Sequence, residues 1–257
     1  MAEWLRFFPE RRPRARVALV CVPPAGGGAS AFAAWPASLP GWVDVCAVAA
    51  PGREARLGEP PARSIAELAA PAAAAAAGLG LPVAVLGHSL GAWIGLEVVR
   101  RLRAAAVPVV RFFAAAARPP HAGEPPALGA DDAALIAYLR DLGGTPEDVL
   151  ADRALLELVL PALRADLALA AGYHGSSASG RRADDGSGEP AALADVPSTI
   201  LCGADDRGLP VALADRWREL AGPACERLVF PGGHFFLRSS RDAALAAIMQ
   251  RLRPPAR

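Results

Sequence analysis

The sequence predicts an α/β fold: a mostly parallel, doubly wound central sheet with helices on both faces. Three observations predict it. Short, continuous apolar runs rich in β-branched residues recur along the chain. Stretches of helical periodicity separate them, and a 53% hydrophobic, 21% charged composition is enough for a substantial core. An unbroken apolar run suits a strand covered on both faces. Right-handed crossovers between such strands put the helices on either side.

In chain order, the strand candidates are Val17 to Val22, Val43 to Ala49, Val83 to Leu86, Val109 to Ala115, Thr199 to Cys202 and Arg227 to Phe230. The helix candidates between them are Ala31 to Leu39, Ile65 to Ala77, Ala92 to Ala105, Val211 to Leu220 and Asp242 to Leu252. The longest apolar stretch, Leu68 to Leu86, is interrupted by Pro71, Gly78, Gly80 and Pro82. It therefore reads as a helix ending at Gly78 followed by a buried strand, and poorly as a membrane span.

One segment breaks the alternation. Between Arg118 and Tyr173 there is no strand pattern. Asp131 is placed to cap a helix running through Leu142, and Thr145-Pro146 to start another with Thr as cap. Leu155 to Leu169 continues the helical pattern, with Pro161 as an expected kink or break. Residues 118–173 thus form a helical insertion, read as a lid over the C-terminal edge of the sheet, where open α/β sheets bind ligands. The plainer alternative is a helical subdomain with no gating role. Gly175 to Pro190, rich in Ser, Gly and charge, is expected to be a mobile surface loop. The whole, residues 1–257, is expected to be one domain.

Charge and cysteine usage exclude several classes. A net charge of +1 gives no global field, so nothing points to nucleic acid. The chain has no lysine and no asparagine, and Gln250 is its only glutamine. GC-rich codon usage accounts for that, and the arginine excess is therefore no evidence of anion binding. Cys21, Cys46, Cys202 and Cys225 have no zinc-like spacing and are expected to be reduced, structural thiols in a cytosolic protein. Glu3, Arg6, Pro9, Glu10 and several further arginines break the stretch Met1 to Arg16, which holds no signal-peptide apolar core.

The chemistry centres on Gly87-His88-Ser89-Leu90-Gly91, a G-x-S-x-G pentapeptide between a strand run and a helical stretch. In that context two glycines permit a sharp turn. The serine is held in a strained conformation with its hydroxyl raised above the sheet. An ordinary turn with a capping serine is the rival reading. A serine nucleophile needs a base, and the base needs an orienting acid. Of the four histidines, His88 lies inside the turn and His121 at the lid entrance, while His174 heads the polar loop. His234, in Pro231-Gly232-Gly233-His234, directly follows the last strand run and alone has the address of a base.

The acid is expected after the preceding strand, in Gly203-Ala204-Asp205-Asp206. Asp206 is preferred because G-x-x-D is the common spacing there, with Asp205 as runner-up. The order Ser89, Asp206, His234 matches that of α/β hydrolases. The oxyanion donors are assigned to the backbone N–H of Leu90 and, in the glycine-rich loop Pro23 to Gly28, that of Ala25. That loop lacks both G-x-G-x-x-G and a following Lys-Ser/Thr, so a phosphate loop is disfavoured. Trp93, just after the turn, reads as a packing residue.

Together these residues resemble a narrower group. Pro-x-Ala-Gly-Gly (Pro23 to Gly27) and Gly-His-Ser-Leu-Gly-Ala (Gly87 to Ala92) are similar to free-standing type II thioesterases of polyketide and nonribosomal peptide pathways. So are Pro51-Gly52-Arg53-Glu54-x-Arg56, Leu142-Gly143-Gly144-Thr145-Pro146, Leu160-Pro161-x-Leu163-Arg164-x-Asp166 and Gly232-Gly233-His234-x-Phe236-Leu237. The similarity runs from about Phe8 to Leu252. The resemblance implies an α/β-hydrolase core with a helical lid, and hydrolysis of acyl groups from the phosphopantetheine arm of carrier proteins. It also implies a Ser89, Asp206, His234 triad with Ala25 and Leu90 as oxyanion hole, no metal or organic cofactor, and a monomer. The loop from Gly175 to Gly188 departs from it, being longer and more polar.

Arg53 and Arg56 have two readings: recognition of an acidic carrier protein or the pantetheine phosphate, or loop anchoring on an acid such as Glu54 or Glu59. Leu135, Leu139, Leu156 and Leu163 are expected to gate an apolar chamber. Three other functions share the motifs: a small-ester esterase or lipase, an acyltransferase or cyclase, and a hydrolase-fold protein that only binds its partner.

Overall fold

A computed structural model describes residues 3–122, 131–178 and 193–253. Its centre is a seven-stranded sheet. The strands are β1 (Leu5–Phe7), β2 (Val17–Val22), β3 (Val43–Val48), β4 (Val83–His88), β5 (Val109–Ala115), β6 (Ser198–Gly203) and β7 (Glu226–Phe230). Their order across the sheet is β1-β3-β2-β4-β5-β6-β7. Every neighbouring pair is parallel except β1 with β3, which is antiparallel. β2, β3, β4 and β6 are buried at every position, as their unbroken apolar runs require.

The helices are α1 (Ile65–Ala77), α2 (Leu90–Ala104), α3 (Asp132–Leu142), α4 (Glu147–Ala151), α5 (Arg153–Ala178), α6 (Val211–Asp215), α7 (Arg218–Ala221), α8 (Phe236–Ser239) and α9 (Arg241–Leu252). Separate apolar cores cover the two faces of the sheet. One packs α1 and α2 with Trp217 against Val20, Val85 and Phe112. The other packs α9 with Phe32 and Trp35 against Leu19, Leu86 and Phe113. The architecture is that of the α/β-hydrolase fold. Among the described residues no helix is long and apolar enough to cross a membrane.

Local chemistry explains the helix ends. Ser64 accepts from Glu67 N–H at 3.1 Å, satisfying a donor that the first turn of α1 leaves open, and the Glu67 side chain reaches back to accept from Arg63 N–H, just before the cap, at 2.8 Å. Asp131 caps α3 through Ala134 N–H at 2.7 Å.

Several expectations change. Residues 31–39 are not one α-helix but two 3₁₀ turns, Ala29–Phe32 and Pro36–Ser38. Pro36 lacks the N–H that a continuous helix would use, so the pattern is cut there. Val211 to Leu220 divides into α6 and α7. α4 is capped by Pro146 rather than by the Thr145 side chain. α5 runs on through Pro161 and reaches Ala178, with no break at the proline. The expected mobile loop therefore begins as helix, and its remainder, 179–190, lies outside the described residues.

Between β5 and β6, helices α3, α4 and α5 build their own small core of Leu135, Leu139, Leu150, Leu160 and Leu163, against which Ala25 and Leu156 pack. Three of the four leucines expected to gate a chamber are thus buried in the insertion itself. α5 is tied to α2 at its far end. Tyr173 Oη donates to Glu97 at 2.6 Å, and its ring lies 5.9 Å from that of Trp93. Trp93 is itself buried and donates to Arg118 O at 2.7 Å, as a packing residue would.

Candidate active site

The turn between β4 and α2 has the geometry that its sequence requires. Ser89 sits at φ 55° and ψ −123°, a conformation that non-glycine residues rarely hold. Its N–H donates to Ala115 O at 2.8 Å, and its carbonyl accepts from Ala92 N–H at 2.9 Å. Gly91 lies so close to β2 that a Cβ there would come 2.3 Å from Val22 O. This contact brings the head of α2, with the Leu90 N–H that no residue of the helix can satisfy, beside the loop holding Ala25.

Strands β6 and β7 bring the other two residues together. Asp205 N–H donates to Gly232 O at 2.9 Å and Ala204 N–H to Phe230 O at 2.8 Å. A Cβ on Gly203 would meet Gly233 O at 2.3 Å, so only glycine permits this approach of the two loops. His234 Nδ1 then donates to Asp206 Oδ2 at 2.9 Å, and Asp206 Oδ1 accepts from Gly208 N–H at 2.9 Å. Asp206 is buried and Asp205 exposed, so only the former meets the imidazole. His234 is 8% exposed, and its Nε2 is buried with no hydrogen-bond partner among the described residues. A neutral imidazole holding its proton on Nδ1 leaves Nε2 as a basic lone pair.

Three further residues bear on the site and were not assigned to it from sequence. His88 Nε2 lies 2.9 Å from His234 O, and since a carbonyl only accepts, Nε2 carries the proton. Burial, then the neighbouring His234, push its pKa down to about 3, so His88 is a neutral donor. Tyr138 on α3 has its phenol pKa raised by burial and then by the charge of Asp206. Asp166 on α5 meets Arg53 in a buried bidentate pair, at 2.6 and 2.9 Å. Arg56 pairs with Glu59 at 2.6 Å and stacks over Trp4 at 4.2 Å. Loop anchoring thus occupies both arginines, but the partner of Arg53 is 113 residues away. Glu54, its expected alternative, instead accepts from Ala29 and Ser30 N–H at 3.1 and 3.0 Å.

His121 pairs with Glu219 at 2.6 Å. All four cysteines are free and buried, and burial raises the pKa of each. Among the described residues no cluster suited to a metal ion occurs.

Comparison with known proteins gives a consistent picture. The family model for the thioesterase domain matches residues 17–252. The gramicidin S biosynthesis protein GrsT of Aneurinibacillus migulanus is 33% identical over 246 residues, spanning 93% of this chain and 90% of that protein. Thioesterase PikA5 of Streptomyces venezuelae is 36% identical over 241 residues, spanning 91% of this chain and 80% of that protein. Among solved structures, RedJ, a thioesterase from the prodiginine biosynthetic pathway of Streptomyces coelicolor, superposes with a TM-score of 0.80 at 33% identity, covering 93% of this chain and 91% of that one.

Proposed function

The chain belongs to the thioesterase family, and from that premise we propose that it is an editing enzyme, clearing acyl groups from the phosphopantetheine arms of carrier proteins in polyketide or nonribosomal peptide assembly. The single observation that carries the chemistry is the buried His234, held by Asp206 through Nδ1 with its Nε2 left unpartnered.

In this reading Ser89 Oγ gives its proton to His234 Nε2 and attacks the thioester carbonyl carbon. The C–O bond forms, the carbonyl electrons move onto oxygen, and Leu90 and Ala25 N–H donate to that oxyanion. Collapse breaks the C–S bond, and His234 returns the proton to the departing pantetheine sulfur. Water, deprotonated by the same imidazole, then attacks the acyl-serine, and the free acid leaves as Ser89 regains its proton. Asp206 holds the imidazole's tautomer and stabilises its cation. No step calls for a metal or organic cofactor.

The insertion of residues 118–173 acts here as a lid, and the carrier protein delivers its arm beneath it. That GrsT is a gramicidin S biosynthesis protein and RedJ a thioesterase of the prodiginine biosynthetic pathway supports this substrate class. Four free thiols support a reducing, cytoplasmic setting.

The test is hydrolysis of a panel of acyl groups loaded on a carrier protein, set beside p-nitrophenyl esters and followed by mass spectrometry of the products. Free acid released preferentially from the carrier is expected, and Ser89→Ala should abolish it. Turnover kept by Ser89→Ala removes the serine from the scheme. Preference for the simple esters makes the protein an esterase, and an ester or amide product makes it a transferase.

A further inference from the structure

We propose that Asp166 is a positioning residue for the oxyanion loop, so that the Ala25 donor is aimed only while α5 is seated. This rests on the reading of Ser89 as nucleophile and Ala25 as a donor.

The loop after β2 is a tight turn in which Gly27 N–H donates to Pro24 O at 2.9 Å. The peptide joining Pro24 to Ala25 is planar and trans, so fixing its carbonyl on one side turns the Ala25 N–H to the other. The next peptide group is fixed from outside the loop. Gly26 N–H donates to Asp166 Oδ2 at 2.8 Å. Gly26 is thereby committed to the lid helix, and Ala25 is left to face the substrate. A third tie closes the set: Arg53 Nη1 donates both to Gly27 O at 3.1 Å and to Asp166 Oδ2 at 2.6 Å, while Nη2 donates to Asp166 Oδ1 at 2.9 Å.

Asp166 is 4% exposed and Arg53 is 9% exposed. A bidentate pair at that depth has little freedom, and the carboxylate fixes direction as well as distance. Leu163, one turn earlier on α5, packs on Gly26, where an added Cβ would meet its side chain at 3.2 Å. One face of one helix therefore holds the donor turn by charge and by contact. If α5 lifts, Gly26 N–H loses its acceptor and Arg53, which also holds Gly27 O, loses the carboxylate that fixes its guanidinium, so the turn is free to rotate its peptides.

A purely structural staple would predict loss of stability and weaker substrate binding. A positioning role predicts loss at the transition state, where the oxyanion exists. Two variants separate these. Asp166→Asn keeps the size of the side chain but sets an amide N–H₂ against Arg53 or against Gly26 N–H. The double variant Arg53→Met with Asp166→Leu removes both buried charges and keeps the apolar packing, which is often tolerated in folding.

Rates are referred to sites counted by endpoint fluorophosphonate titration, so that unfolded molecules do not enter. For both variants kcat per titrated site is expected to fall about 10- to 100-fold with KM changed by less than about threefold. Inhibition by an alkyl boronate, whose tetrahedral adduct on Ser89 occupies the hole, should weaken by the same factor. Parental kcat and boronate affinity in either titrated variant overturn the proposal, as does a change confined to KM and melting temperature. Failure of the underlying reading shows separately, as turnover retained by Ser89→Ala.

Discussion

The imidazole of His88 donates its Nε2 proton to the main-chain carbonyl of His234 at 2.9 Å, binding the turn before Ser89 to the loop after β7. The rings lie 5.4 Å apart, and the ring of Phe235 meets each of them edge-on. Because His88 is fully enclosed and already a donor, a second proton would place an unpaired charge in the core.

That cost gives a pH signature. Burial holds the His88 pKa at about 3, against 6.5 for the free side chain. The unfolded chain therefore binds a proton between those values that the native state refuses, and stability present above about pH 6.5 is lost as pH falls towards 3. The slope contributed by this one group is at most about 1.4 kcal/mol per pH unit. His88→Gln keeps an N–H donor and cannot titrate, so its melting temperature should fall less steeply with acid than the parent's. Parallel thermal scans across that range measure it, and equal slopes contradict the assignment.

Asp206→Asn tests the relay itself. An amide keeps the shape of the carboxylate but neither stabilises the imidazolium nor enforces the Nδ1 proton. The expected result is a fall in kcat of about 10²- to 10⁴-fold with KM little changed. Steady-state hydrolysis of a carrier-bound thioester measures it. A loss below tenfold would mean that the 2.9 Å contact with His234 matters only to packing.

Gly203→Ala tests the junction of the acid and base loops. The added carbon would stand 2.3 Å from Gly233 O, so the loops must part. A destabilisation of about 1–3 kcal/mol is expected, typical of overpacking. A slower fluorophosphonate reaction of the folded fraction should accompany it, because Asp206 and His234 sit on the two sides of the gap. Parental labelling in the variant would show that the approach is not needed to align them.

The legible part of this molecule was the part governed by short range. Continuous apolar runs mark β2, β3, β4 and β6, since strands covered on both faces tolerate little else, and shorter apolar runs mark the partly exposed β5 and β7. Glycines at 87, 91 and 203 and the address of His234 after β7 announced the site. β1 was missed: Leu5–Phe7 is three residues long and only one of them is buried. The helix expected over 31–39 is cut at Pro36, and of the kink or break expected at Pro161 the break is absent, because α5 is held by tertiary contacts on both sides of that residue. Arg53 was the instructive case. Its loop offered two nearby acids, and spacing favours a neighbour. The carboxylate it meets comes from α5, which no local pattern could bring to it.

The segments that carry the site touch in two pairs through bare main chain: Gly91 against Val22 O, Gly203 against Gly233 O. No side chain stands in either seam, so the gap widths are set by the radii of peptide atoms alone. Mutational drift that trades one core hydrophobe for another changes the thickness of the surrounding layers, yet has nothing to insert at these junctions. A hydrolase built this way is free to diverge through most of its interior while its chemistry stays aimed. Its least replaceable residues are then the ones with the least in them.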